Sequence, residues 1–181
     1  PPVQIEQVHQ LYLPLVMKNY RPDFHKGIAA GAGGVNAVIL THADSYRNWT
    51  WLPTGSMPNG VEFIPEICYP RGTCPLVPTD LPDSIYLLGV NEPNINEPGG
   101  AGVCARDYVE AWHVILQNYA ADRILASPGV SYAPNTIACR DGRSETLDGI
   151  DWLTEFWSDY TSQNYADYPT PTFEVINFHC Y

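Results

Sequence analysis

Apolar and polar positions along this chain change period repeatedly, and the switches mark out its elements. Short apolar runs recur at residues 26–32, 45–51, 61–69, 85–90, 123–130 and 172–181. Each has the length of a strand and is bounded by Gly, Pro or polar residues. In the third run Val61, Phe63 and Pro65 alternate with Glu62, Ile64 and Glu66. The fourth, Ile85-Tyr86-Leu87-Leu88-Gly89-Val90, is almost continuously apolar, as suits a parallel strand covered on both faces. Two stretches switch to helical spacing. Residues 106–121 carry Tyr108, Val109, Trp112, Ile115, Leu116 and Tyr119 on one stripe, and residues 150–160 carry Ile150, Leu153, Phe156 and Trp157. Residues 35–42 read as a further short helix, and residues 1–24 as a peripheral segment.

Strands alternating with helices imply right-handed βαβ units and a parallel sheet. Six strands suit either a doubly wound sheet or six of the eight units of a (β/α)8 barrel. No Gly-x-Gly-x-x-Gly follows a strand and no phosphate loop is present, so a nucleotide function lacks its signature. A complete barrel needs about 250 residues; 181 residues fit one shortened by two units. The expected fold class is therefore α/β, an incomplete (β/α)8 TIM barrel over residues 25–181. The chain starts Pro-Pro and stops inside its sixth strand, so it reads as a fragment.

The fourth run ends in Asn91-Glu92-Pro93. Proline cannot continue a central ladder, so Asn91 and Glu92 fall at the carboxyl end of a strand, where parallel α/β folds keep their sites. A carboxyl group beside an apolar run suits a general acid, and an adjacent amide suits a sugar hydroxyl. The tripeptide also fits a plain helix entry, with Asn91 capping and Pro93 in the first turn. Other strand ends offer Tyr46, Asn48, Trp49, Trp51, Glu66, Tyr69 and Ser127. On the sixth run, alternation puts Phe173, Val175, Asn177, His179 and Tyr181 on one face and Glu174, Ile176, Phe178 and Cys180 on the other.

A net charge of -11 argues against nucleic acid or anionic membrane as a partner. No apolar run approaches the roughly eighteen residues of a membrane span. Five cysteines lack Cys-x-x-Cys spacing, so no metal site is expected. Cys68 and Cys74 bracket a loop that a disulfide would close, and Cys104 and Cys139 lie in loops that could meet, leaving Cys180 odd. Free thiols fit equally well. With the acidity, the balance points to an exported, extracellular protein.

The order of motifs resembles the Asl1-like glycoside hydrolases, the family that includes endo-β-1,3-glucanases, within the clan of retaining (β/α)8 glycosidases. The matching pieces are Tyr46-Arg47-Asn48-Trp49, Phe63-Ile64-Pro65, Leu88-Gly89-Val90-Asn91-Glu92-Pro93-Asn94, Ala111-Trp112, Ser127-Pro128-Gly129-Val130, Trp152-Leu153-Thr154-Glu155-Phe156 and the run from Phe173 to Tyr181. The resemblance implies a β-glucan glycosidase without cofactor, acting on a polysaccharide or oligosaccharide, with Glu92 as general acid/base and Asn91 on the sugar 2-hydroxyl. It implies that His179 and Tyr181 shape the subsite around the reacting bond. Asn48, Trp49, Trp51, Tyr69 and Asn177 are the remaining candidate substrate contacts, and the chain is expected to be a monomer. Cys180 departs from the family pattern, which tends to have tryptophan there, and Glu66-Ile67-Cys68-Tyr69 departs at the third strand. Retention needs a second carboxylate about 5 to 5.5 Å from the first. In this clan it ends the seventh strand, so the nucleophile is expected beyond Tyr181 and the fragment is expected to be inactive. Glu66 and Glu174 are the substitutes within reach, the first on the wrong strand and the second facing away. The rival expectation is a non-catalytic carbohydrate-binding or wall-associated protein on the same fold.

Overall fold

The computed structural model describes residues 27–29, 44–69 and 75–179. The expected helix at 35–42, the peripheral segment 1–24, Cys74, Cys180 and Tyr181 lie outside these residues. In chain order the elements are β1 (Gly27–Ala29), β2 (Ser45–Arg47), β3 (Glu62–Phe63), β4 (Tyr86–Leu88), α1 (Ala105–Tyr119), β5 (Ile124–Ala126), β6 (Val130–Ser131), β7 (Asn135–Ala138), β8 (Ser144–Leu147), α2 (Gly149–Ser162) and β9 (Phe178–His179).

Apart from β7 and β8, the strands pair in parallel and in chain order. β1 pairs with β2, and β2 with β3. A bridge from Glu66 to Leu88 joins the third strand to β4, which pairs with β5. A bridge from Ala126 to Val175 and the β6–β9 pair continue the series. The α/β reading with sequential parallel strands therefore holds, although the regular strands are shorter than their apolar runs. Pro65 shows why pairing survives interruption. It lacks a donor, yet its carbonyl still accepts from the Leu88 N–H at 2.9 Å. Pro128 likewise divides the fifth run into β5 and β6, while Gly129 on its far side keeps donating to the Val90 carbonyl at 2.8 Å.

Close approach between β4 and the fifth strand requires glycine. A Cβ on Gly89 would stand 2.7 Å from the Pro128 nitrogen and 2.9 Å from its Cα, backbone atoms that cannot move aside. On the last strand the expected alternation holds only in part. His179 is buried, but Val175 is as exposed as Phe178. The reason lies in the backbone: after the Val175 bridge the Asn177 N–H turns to the Ser127 hydroxyl (2.9 Å), and ladder pairing resumes only at Phe178.

Both helices form where their spacing predicts, but α2 buries a different stripe from the expected one: Ile150 and Trp157 are exposed, and of the four expected residues only Phe156 is fully buried. α1 turns Tyr108, Trp112, Ile115 and Leu116 inward, and α2 turns Trp152, Phe156 and Tyr160 against them. Trp152 and Phe156 stack at 5.4 Å, and the Trp152 indole donates to the Val103 carbonyl at 2.9 Å. Asp148 caps α2 by accepting from the Ile150 and Asp151 N–H groups. Cys104 at the start of α1 provides no side-chain cap. Instead Glu145 reaches in from β8 and accepts from the Ala105 N–H at 3.1 Å, close to the helix end that attracts negative charge.

The antiparallel hairpin β7–β8 is an element the sequence reading lacks. Its turn runs through Asp141-Gly142, with Gly142 at φ 84°, a hairpin signal flanked here by mostly exposed polar strands. A Cys104–Cys139 disulfide ties the hairpin to the head of α1, and Cys68 is disulfide-bonded as well. The free-thiol alternative is therefore excluded for Cys68, Cys104 and Cys139. No described helix is long and apolar enough to cross a membrane.

Two stability changes follow from this framework. Replacing Cys104 and Cys139 by serine releases the hairpin and lowers unfolding free energy by about 3 kcal/mol, read from urea denaturation. Gly89→Ala lowers it by about 2 kcal/mol or more in the same assay, because overpacking meets backbone.

Candidate active site

β4 delivers Asn91 and Glu92 to the carboxyl end of the sheet, where the backbone leaves the extended form. Asn91 bridges to Gly129, the Glu92 N–H donates to the Gly129 carbonyl at 2.7 Å, and Glu92 adopts φ 41°. Trp49, at the end of β2, has φ 61°. Only one further described residue other than glycine, Asn164, has positive φ. Two bulky residues in this region at one place are held there against local preference. The holding contacts are visible. Asn94, fully buried, locks the turn after β4 to the fifth strand by donating to the Ser131 carbonyl (2.8 Å) and accepting from the Ser131 N–H (2.9 Å). The Ala101 N–H closes the following loop onto the Asn91 and Glu92 carbonyls at 3.0 and 3.1 Å.

Four side chains from four segments then join in one line. Glu66 Oε2 accepts from Arg47 Nη1 at 2.6 Å. Arg47 Nη2 lies 3.0 Å from His179 Nε2, and His179 Nδ1 lies 3.0 Å from Glu92 Oε1. A guanidinium has donors and no acceptor, so Nε2 must accept and the proton of a neutral imidazole sits on Nδ1. His179 therefore donates to Glu92. The pair is a hydrogen bond from a neutral ring rather than an ion pair. Gly129 makes room for this line: a Cβ there would stand 3.0 Å from His179 Nε2 and 2.6 Å from Asn177 Nδ2.

Burial pushes the Glu66 carboxyl up to about 7, against the opposing pull of Arg47 and with a smaller upward push from Glu92. Desolvation outweighs a close ion pair here because Glu66 is only 1% exposed.

A cavity of about 120 Å³ opens beside this line, walled by Trp49, Glu66, Tyr69, Asn91 and the loop at Gly99–Ala101. Trp49 is 39% exposed, and the Arg47 guanidinium lies 5.8 Å from its ring centroid. Tyr69 receives a hydrogen bond from Arg140 of the hairpin turn. Asn91 donates to the Gly99 carbonyl at 2.7 Å, so the loop sits on it, and its Oδ1 is buried without a partner among the described residues. Asn177 Nδ2 is in the same condition beside Gly129.

Other candidates fall elsewhere. Asn48 is buried and spends its amide on its own turn, donating to the Leu52 carbonyl and Thr54 hydroxyl and accepting from Thr50. Trp51 donates to Asp80 outside the cavity wall. Tyr181 lies outside the described residues. Arg47, Asn94 and Gly129 complete the site without having been singled out. The available signal for Arg47 was a lone cation in a strand of aromatic and amide residues. Among the described residues one group has ligand spacing for a metal ion, Cys104, Cys139 and Glu145, but both sulfurs are joined in the disulfide.

The raised Glu66 group makes stability depend on pH. Between about 4.5 and 7 the folded chain holds a proton that the unfolded chain has released, so this contribution is full below that window and lost as pH rises through 7. Glu66→Gln should flatten the fall in unfolding free energy between pH 5 and 8, measured by urea denaturation at each pH.

A family model described as glycosyl hydrolase catalytic core matches residues 34–181. A comparison with curated proteins finds no match. Among solved structures, a subgroup II endo-β-1,3-glucanase of glycoside hydrolase family 128 from Sorangium cellulosum is 22% identical, with TM-score 0.59 over 87% of this chain and 60% of that one. A subgroup I endo-β-1,3-glucanase from Amycolatopsis mediterranei, in complex with laminaritriose, is 24% identical, with TM-score 0.55 over 86% and 56%. A subgroup VII oligosaccharide-binding protein from Cryptococcus neoformans is 17% identical, with TM-score 0.56 over 84% and 54%. This chain thus spans less than two thirds of each of these structures. With more than half of its residues matched by one family model, on an α/β fold shared with these structures, the chain belongs to the glycosyl hydrolase catalytic core family.

Proposed function

We propose that the chain forms the first six units of a (β/α)8 glycosidase that cleaves β-1,3-linked glucan with retention. The observation that carries this reading is the placement of Glu92. It stands at the carboxyl end of β4, turned by a left-handed backbone and held at 3.0 Å by His179, with Asn91 beside it on the cavity wall. Sequential parallel pairing from β1 to β5, continued by β6 with β9, supports the barrel, because a doubly wound sheet reverses its strand order. The glucan assignment draws on the family and on the laminaritriose bound in one similar structure.

In this reading Glu92 protonates the departing glycosidic oxygen and afterwards takes a proton from the attacking water. The neutral His179 ring fixes Oε1, so Oε2 carries the transferred proton. The Trp49 face and Tyr69 form a platform for a sugar ring, and Asn91 meets a hydroxyl next to the reacting carbon. The nucleophile is a carboxylate at the end of a seventh strand, outside these 181 residues. Secretion and a monomeric state complete the proposal. The oligosaccharide-binding protein of the same fold is the specific observation that favours a second reading, sugar binding without cleavage.

The test is Glu92→Gln in a polypeptide carrying this chain through the seventh strand. Release of reducing sugar from β-1,3-glucan should fall by about 10²-fold or more, with affinity for laminari-oligosaccharides by calorimetry nearly unchanged. An unsubstituted polypeptide that binds these sugars and releases none supports the second reading and sinks the first.

A further inference from the structure

Glu66 has no part in the chemistry just described, although it lines the same cavity and is more deeply buried than any other carboxylate described. Among the described residues its carboxyl group accepts a hydrogen bond from Arg47, and the geometry of that pair points beyond charge neutralisation. The two terminal nitrogens of one planar guanidinium are committed separately, Nη1 to Glu66 at 2.6 Å and Nη2 to His179 at 3.0 Å. A planar fork held at one prong has little freedom at the other. We propose that Glu66 is a positioning residue for Glu92: by fixing the Arg47 guanidinium it imposes the Nδ1–H tautomer on His179, which then orients the Glu92 carboxyl group. The inference rests on the reading of Glu92 as the acid/base.

Physical argument favours this over a merely structural ion pair. Burying Glu66 and Arg47 together is costly, and an apolar pair of similar volume would serve packing as well. The pair gains a purpose from the third member. Without Glu66, Arg47 can swing toward the Trp49 ring that already lies 5.8 Å away, and Nε2 loses the donor that forbids its protonation. The Nε2–H tautomer would then present an acceptor to Glu92 instead of a proton. Three ionisable groups from other elements face Glu66: Arg47 from β2, Glu92 from the turn after β4, and the Tyr108 phenol of α1. With its carboxyl pushed up to about 7, Glu66 carries the charge that grips Arg47 most fully above neutrality.

Nitrogen NMR of the His179 ring in the 181-residue chain tests the idea without requiring catalysis. At pH 8 the unsubstituted chain should show Nδ1 protonated and Nε2 bare. In Glu66→Met the two resonances should approach each other by equal amounts with their mean unchanged, the signature of tautomer exchange; ring protonation would instead pull the mean strongly upfield. Glu66→Gln retains an acceptor but no charge, so it should show a smaller change of the same sense, and it decides the matter where the methionine variant fails to fold. Signals in folded Glu66→Gln that match the unsubstituted chain at pH 8 would overturn the proposal. In the extended polypeptide, Glu66→Gln should lower kcat about tenfold with KM little changed, as expected for an interaction made in the transition state. A tautomer shift accompanied by no catalysis in any form would leave the clamp standing and remove only the acid/base reading.

Discussion

The Arg47 guanidinium can donate and cannot accept, and only 18% of the side chain reaches solvent. Two acceptors therefore have to be brought to it, and they come from distant parts of the chain. Glu66 lies 19 residues away and His179 lies 132 residues away. Meeting both demands that β2, the third strand and the last strand stand in register around the turn that carries Glu92. The polar line at the carboxyl end of the sheet is thus a constraint on the whole sheet. Its buried charges tolerate little slippage, because a one-residue shift would turn each side chain to the opposite face.

Glycine supplies the space this constraint needs. Gly89 lets β4 approach Pro128, and Gly129 leaves room for His179 and Asn177. Both sit where regular strand pairing is interrupted, next to the residues that carry the polar line. The same end of the sheet carries the left-handed turns at Trp49 and Glu92. Each costs about 1–3 kcal/mol, and contacts elsewhere must offset it. Asn94, the Ala101 N–H and the Arg47 line are the contacts that hold the strained backbone at this end.

The helices were readable in place because apolar residues recur at helical spacing, but in α2 tertiary packing buried Trp152 and Tyr160 rather than Ile150 and Trp157, a choice the period alone does not make. The strands were readable in place and not in length, since proline removes a donor without removing the carbonyl that keeps the ladder going. The β7–β8 hairpin was invisible for a sharper reason. Its inward residues are Ile137 and Glu145, and an inward carboxylate defeats the rule that apolar residues face the core. Glu145 faces inward because the head of α1 lacks a side-chain cap, a need set by tertiary structure. At the site, Pro93 exposed Glu92 and alternation exposed His179, both local signals. Arg47 joins them only across 132 residues, and no pattern within a strand announces so distant a pairing. Asn48 misled for the opposite reason: a polar residue at a strand end serves a turn as readily as a ligand.

The aromatic layer between α1 and α2 meets the polar line where the Tyr108 phenol faces Glu66, while the Asp148 cap and the Cys104–Cys139 bond secure the starts of the two helices. The carboxyl end of the sheet holds left-handed Trp49 and Glu92, the raised carboxyl of Glu66, and amide atoms of Asn91 and Asn177 that have no partner among the described residues. An unpaired buried amide atom costs roughly 1–3 kcal/mol when nothing meets it. Asn91 Oδ1 is such an atom on the cavity wall, so a hydroxyl that reached it there would gain a bond that the described residues do not supply.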